Sequence, residues 1–178
     1  MQRWPDQLTV KELLFVVHKH RATSLHYDFR LEINGVMPSW SIPKGPTLDH
    51  RVRRLAMPTG DHSLEYISFE GVLDMGEGRT STVMIWDEGV YVPEIEVARG
   101  VRRELSGSED ANSVAASQLS EGGLKFRLSG RKLNGSFALI RTRGMKGRES
   151  WLLIKHNDDF CIDGYDANDF NISAVSGF

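Results

Sequence analysis

Hydrophobic and polar positions along this chain alternate with a period of two in several short runs, separated by breaks rich in Gly, Pro and Asn. Residues 14–20 form a β-branched, apolar run that ends in polar residues, and residues 25–33 alternate cleanly. Asn34-Gly35 follows at once. That dipeptide favours a two-residue hairpin turn, so a partner strand is expected over 36–42. Pro38 has no backbone donor and places part of that strand at an edge or a bulge. Pro43-Lys44-Gly45-Pro46 forces a turn. Further strands are expected at 55–58, at 66–73 with a break near Gly71, and at 80–86, where Asp87-Glu88-Gly89 turns the chain into Val90-Tyr91-Val92. Gly76-Glu77-Gly78 reads as a loop.

Residues 106–123 are small, polar and rich in Gly and Ser, which suits a long loop or a partly helical connection. Strands follow at 125–128, 136–143 and 150–155, divided by Asn134-Gly135 and by the loop around Gly144-Met145-Lys146-Gly147. Beyond His156 the chain is polar and is expected to be loosely ordered. Many short strands with regular turns predict an all-β, mainly antiparallel sandwich or barrel with minor helical segments.

The chain has 178 residues, a length that favours one domain over 1–178, with an N-terminal arm over 1–13 and a C-terminal tail over 157–178. At 40% hydrophobic and 26% charged residues it has enough apolar material for a core without disulfide staples. Cys161 is the single cysteine and has no partner within the chain, so a reducing compartment, the cytoplasm, is expected. No apolar run approaches the ~20 residues that span a bilayer, and residues 1–6 lack the pattern of a signal peptide, so no membrane partner is expected.

The formal net charge of -2 does not by itself suggest a nucleic-acid binder. The charges are unevenly placed, however. Arg51, Arg53 and Arg54 crowd one segment with Lys44 near, and Arg141, Arg143, Lys146 and Arg148 crowd another. Much of the acid lies elsewhere, in Glu109-Asp110 and in Asp158, Asp159, Asp163, Asp166 and Asp169.

The chemistry concentrates between His18 and Glu32. Side chains of a strand alternate between its two faces. One face therefore carries His26, Asp28, Arg30 and Glu32, and the other carries Tyr27, Phe29 and Leu31. The second set has the character of core. The first is either a solvent face of an antiparallel sheet or a site. The preceding strand adds His18 and His20 on a common face, and His62 supplies another imidazole. Imidazoles with a carboxylate suit a divalent transition metal. His26-x-Asp28 with a distant His62 also matches the 2-His-1-carboxylate pattern of non-haem iron oxygenases, which leaves His20 and the nearby cations without a role.

Phe15-Val16-Val17, Lys19-His20 and Leu25-His26-Tyr27-Asp28-Phe29-Arg30-Leu31-Glu32 resemble the 3′-phosphoesterase module of bacterial ligase D, here in a freestanding form. The likeness runs on through Ser39-Trp40-Ser41-Ile42-Pro43-Lys44-Gly45-Pro46, Arg54-Leu55-Ala56, Asp61-His62, Tyr66, Phe69-Glu70-Gly71-Val72, Thr82-Val83 and Trp86-Asp87. It closes with 135–141 and 151–155, and so covers most of residues 14–156.

The resemblance implies a compact β-barrel and a manganese-dependent enzyme of end joining. Such an enzyme removes a 3′-terminal ribonucleoside and then the 3′-phosphate, leaving a 3′-hydroxyl on DNA or RNA ends at primer–template junctions. It implies metal ligands at His20, Asp28 and His62, a phosphate-contacting histidine at His26, anion-binding side chains at Arg30, Lys44 and Arg54, and an active-site tyrosine at Tyr66. A ligase, a polymerase or an end-binding protein would act in trans. A catalytically weak end-binding module of the same fold is the alternative.

The chain departs from the family at four places. His18 stands where Gln is usual, Ser24 stands where Arg is frequent, and residues 74–79 differ from the family's Gly-rich loop. The ligase modules also carry an N-terminal arm with Arg, Asp and Glu that assists ribonucleoside removal. It does not align with the thirteen residues before the first expected strand, so the firmer expectation is phosphate removal.

Overall fold

The computed structural model describes residues 10–144 and 147–176. Most of the expected N-terminal arm (1–9), and Met145 and Lys146 of the expected 144–147 loop, lie outside the described residues. Three consecutive strands, β1 (Leu13–Arg21), β2 (Leu25–Leu31) and β3 (Val36–Ile42), form an antiparallel meander. At the β2–β3 turn Asn34 and Gly35 both have positive φ, 55° and 77°, as the expected hairpin requires.

The chain continues through β4 (Arg53–Ser63), a 3₁₀ turn (Leu64–Ser68), β5 (Gly71–Gly76), β6 (Arg79–Pro93), β7 (Ile95–Ala98) and β8 (Val101–Arg103). After these come helix α1 (Ala111–Glu121) and strands β9 (Gly123–Gly130), β10 (Asn134–Thr142) and β11 (Ser150–Lys155). Neighbouring strands follow the order β1-β2-β3-β4-β11-β10-β9-β6, and β6 returns to pair with β1, so eight antiparallel strands close a barrel. β5 hangs on β6, and β7 with β8 makes a separate ribbon. The expected all-β barrel is therefore present in its closed form.

Alternate residues of these strands fill the barrel. Phe15, Val17, Tyr27, Phe29, Leu31, Trp40, Ile42, Phe126, Phe137, Leu139 and Trp151 belong to one buried cluster. The opposite face of the same wall carries a smaller cluster of Val16, Met37 and Ile85, covered by Leu64, Tyr66 and Ile67 of the 3₁₀ turn. That second face is where the chemistry lies.

Two bulges decide which residues reach it. Between β3 and β4, Ser39 pairs with Gly60 and Trp40 with Pro58, so Thr59 is an extra residue. Ala56 points into the core, yet His62, which has the same parity, emerges opposite Met37 on the other face. Gly60 accommodates the bulge with φ of 90°, a conformation side chains disfavour. Between β1 and β6, Val17 pairs with Asp87 and His18 with Ile85, so Trp86 is the extra residue. This turns Ser81, Val83 and Ile85 to the same outer face.

The strand reading departs from the structure at several places: Asn134-Gly135, expected between strands, opens β10, and β7 and β8 were not expected. Residues 66–73, expected as a strand broken near Gly71, do break there, where Gly71 has φ of 153°, but the part before it is a 3₁₀ turn, capped by Ser63 accepting from Glu65 N–H, and only the part after it is strand, β5. Asp87-Glu88-Gly89, expected as a turn, lies inside the unbroken β6. A Cβ at position 89 would collide with the Ser129 carbonyl oxygen, so Gly89 serves a close strand approach, not a reversal. The 106–123 connection contains α1, capped by Asp110 at one end and by left-handed Gly122 at the other.

Composition suggested that the chain after His156 is loose, but its described part is strapped to the barrel. Asp158 pairs with Lys155 at 2.6 Å, Asn168 accepts from Tyr27 O–H, the Phe170 carbonyl accepts from Trp86 Nε1–H, and Ala174 N–H donates to the Ile85 carbonyl. Among the described residues, no helix is long and apolar enough to cross a membrane.

Candidate active site

The polar row of β2 does not face water. Asp28 and Arg30 are buried, as is His18 beside them on β1. Burial of such groups requires partners: Asp28 and Arg30 have them, whereas His18 has one at Nδ1 and none among the described residues at Nε2. His20 and His26 are cross-strand neighbours whose rings meet edge to face, 4.8 Å between centroids. Both turn a nitrogen toward the same oxygen of Asp28. His26 Nε2 lies 3.3 Å from Asp28 Oδ2, and His20 Nδ1 lies 3.6 Å from it. Arg30 NH2 donates to that oxygen at 3.3 Å.

His20, His26 and Asp28 thus offer three ligand atoms that all lie within 4.8 Å of one another. Ligands bound at about 2.1 Å around one ion sit roughly 3.0–3.5 Å apart. The gaps of 3.3 and 3.6 Å therefore suit an ion drawn in among these atoms with little rearrangement. Two imidazoles and one carboxylate suit a divalent transition metal. His20 is also held from behind, because its Nε2 meets buried Ser81 Oγ at 3.1 Å.

His62 is placed elsewhere. It does not join this group. Its Nδ1 lies 3.2 Å from Arg30 NH1, so Arg30 stands between it and Asp28. The structure therefore brings together His20 and Asp28 of the expected ligand set, and it puts His26 where His62 was expected. The reason is geometric. His26 is directly opposite His20 across the β1–β2 hairpin, whereas His62 arrives from β4, beyond β3. His62 instead packs in a cluster with Arg30 and Tyr66.

Arg30 is the hub of that cluster. Its Nε donates to His18 Nδ1 at 3.0 Å, and its guanidinium carbon lies 5.1 Å from the Tyr66 ring centroid, a cation–π distance. The Tyr66 ring also lies 5.1 Å from the His18 ring and stacks on Phe69 at 5.3 Å. Lys44 is exposed in the turn after β3, and Arg54 is half-buried near the start of β4. The Arg54 side chain shares the core-side parity of Ala56, and its Nε has no hydrogen-bond partner among the described residues. The registers Arg21–Leu25, Tyr27–Ile42 and Ser41–Met57 put both cations at the barrel end where His20 and His26 lie.

The protonation equilibria reflect this packing. Burial, helped by the Arg30 charge, pushes His18 down to about 4, so it is neutral near pH 7. Burial also lowers His20, with the neighbouring His26 adding to the effect. His26 is raised, chiefly by its hydrogen bond to Asp28. Burial alone would raise the Asp28 carboxyl, yet the His26 hydrogen bond and the Arg30 charge outweigh it and hold the group below the usual carboxylate range. Burial and the Arg30 charge lower His62. Tyr66 is raised, mainly by burial, so its hydroxyl stays protonated near neutrality.

Sequence reading missed Ser81, which looked like an ordinary serine of an alternating strand. It also gave His18 no role beyond its place on the His20 face. Position parity could have flagged Ser81, had the Trp86 bulge been visible.

The structure is a closed barrel whose outer wall carries two histidines and an aspartate beside a sequestered arginine. The relatives make this specific. The family profile of the DNA Ligase D 3′-phosphoesterase domain matches residues 18–141. The chain is 40% identical over 157 residues to the Multifunctional non-homologous end joining protein LigD of Pseudomonas aeruginosa, covering 88% of this chain and 16% of that protein. Against the protein of the same name from Mycolicibacterium smegmatis it is 38% identical over 144 residues, 81% of this chain and 17% of the relative. Against the Multifunctional non-homologous end joining DNA repair protein LigD of Mycobacterium tuberculosis it is 37% identical over 138 residues, 78% of this chain and 15% of the relative. The chain belongs to the DNA ligase D 3′-phosphoesterase domain family, and it spans about a sixth of the length of these relatives.

Proposed function

We propose that this chain is a divalent-metal-dependent phosphoesterase that removes the 3′-phosphate from DNA or RNA termini at primer–template junctions and leaves a 3′-hydroxyl. The observation that carries the reading is the sharing of Asp28. One of its oxygens faces both imidazoles of the ligand group and the Arg30 guanidinium, so a metal and a phosphate would sit side by side.

His20, His26 and Asp28 would hold the ion, manganese by family likeness or another divalent transition metal. A bound ion at this place supplies Lewis-acid polarisation of a phosphate oxygen and lowers the pKa of a coordinated water. The protein's own groups do the rest. A guanidinium has five N–H donors. Three are directed to His18, Asp28 and His62, which leaves one on each terminal nitrogen for phosphate oxygens. Because the guanidinium only donates, His62 Nδ1 accepts, and Nε2 then carries the proton and can donate to the same phosphate. By family likeness Lys44 and Arg54, which lie at this end of the barrel, would add positive charge for a phosphoryl transition state. Tyr66 shields Arg30 from water and strengthens its field.

Family likeness also implies ribonucleoside removal. The arm that assists it would fall in residues 1–13, of which 1–9 lie outside the described residues, and the proposal is confined to phosphate removal. In end joining, a ligase, a polymerase or an end-binding protein would take up the healed end.

The test is incubation of a 3′-phosphate primer–template with manganese. Release of inorganic phosphate with a 3′-hydroxyl product is expected. Tight binding without turnover would favour an end-binding module. Metal-dependent oxidation of a 2-oxo acid co-substrate would favour the oxygenase reading.

A further inference from the structure

His18 has no part in the chemistry so far. It is fully buried on β1, opposite Asp28 and two residues from His20, yet it is outside the convergent ligand group. Its Nδ1 accepts from Arg30 Nε at 3.0 Å. A guanidinium can only donate, so Nδ1 bears a lone pair and the ring's proton is on Nε2. Tyr66 closes over both side chains, 5.1 Å from each.

We propose that His18 is a positioning residue: it fixes Arg30 by its Nε, so that the two terminal nitrogens stay directed at His62, Asp28 and the incoming phosphate. This rests on the reading of Arg30 as the phosphate-binding cation. The physical need is specific. Arginine and a carboxylate prefer a bidentate pair through two parallel N–H bonds. Arg30 and Asp28 are side by side on one strand face and joined by a single bond, from NH2 to Oδ2. With no acceptor at Nε, that buried N–H would be left unsatisfied. The guanidinium would then turn its Nε–NH2 edge onto Asp28. That would occupy the carboxylate oxygens the metal needs and withdraw the terminal N–H groups from the phosphate. The imidazole of His18 occupies Nε and prevents the closure.

The experiment uses the full chain, with inorganic phosphate as probe in the presence of manganese, and compares His18→Leu with His18→Gln. The glutamine carbonyl can accept from Arg30 Nε, and leucine cannot. Phosphate affinity is expected to fall roughly 10- to 100-fold in His18→Leu, the range for a lost hydrogen bond to a charged group. It is expected to return to within a few fold of the parent in His18→Gln. Equal affinity in all three proteins, or equal losses in both variants, would overturn the proposal.

A measurement on the unmodified, metal-free protein is independent of variant folding. A ¹⁵N–¹⁵N coupling across the hydrogen bond between Arg30 Nε and His18 Nδ1 is expected by NMR, and a protonated His18 Nδ1 would contradict the proposal. These readouts need no turnover. A protein that binds phosphate through Arg30 but does not hydrolyse a 3′-phosphate would sink the enzymatic reading and leave this one standing.

Discussion

Ser81 Oγ lies 3.1 Å from His20 Nε2, and this contact selects which imidazole nitrogen faces Asp28. If the serine accepts from Nε2–H, Nδ1 is left with its lone pair pointing to the ligand group. Partners of this kind orient a metal-binding histidine and raise its basicity. Ser81→Ala is therefore expected to weaken manganese binding on the order of 10-fold or more, with little loss of stability, as read by calorimetric titration. Unchanged affinity would remove Ser81 from the site.

The exchange of His26 and His62 relative to the expected ligand set separates two histidine variants. His26→Ala should abolish high-affinity metal binding. His62→Ala should bind the metal as the parent does and raise KM for a 3′-phosphate substrate, because its imidazole faces Arg30 and not the ligand group. Loss of metal from His62→Ala with retention in His26→Ala would reverse the assignment.

The pH dependence has a definite sign. In the metal-free protein His26 is raised above its ordinary value of 6.5 by the hydrogen bond to Asp28. A raised histidine contributes stability that is present below its unfolded pKa and fades as pH rises through the folded one. Metal binding requires the neutral ring. The gain in Tm from added manganese should therefore be small in mild acid and grow as pH rises through the raised His26 value. Melting curves with and without manganese across a pH series check this. A gain that shrinks with rising pH would contradict it.

Away from the site, Lys155 is fully buried, with its ammonium on Asp158 at 2.6 Å and on the Ser136 and His156 carbonyls. Asp158→Ala leaves that charge without a counter-ion and should cost about 3 kcal/mol or more in denaturant unfolding. A loss within measurement error would show that the carbonyls alone suffice.

Much of this was legible in the chain itself. The alternation over residues 25–33 and the Asn34-Gly35 turn placed the β2–β3 hairpin, with His26, Asp28 and Arg30 on one face of β2, and His18 and His20 shared a face of the strand before it. The polarity of that face could not tell water from a covered site, since the cover is supplied by the 3₁₀ turn of Tyr66, distant in sequence. The convergence of His26, not His62, on His20 and Asp28 was not legible, because it depends on the cross-strand register of β1 and β2 and on the approach of β4 past the Thr59 bulge, which alternation alone does not show. Gly89 was read as a turn because a glycine chosen for close backbone approach looks, in sequence, like one chosen for reversal. The strap over 157–176 was hidden by its polar composition, as its bonds to Tyr27, Trp86 and Ile85 run largely through backbone and amide groups.

The most direct measurement is a crystal structure grown with manganese and phosphate, read by anomalous scattering at the metal edge. One ion bonded to His20 Nδ1, His26 Nε2 and Asp28, with phosphate against Arg30 and His62, is the predicted result. An ion bonded to His62 in place of His26, or density only outside the β1–β2 wall, would contradict the account.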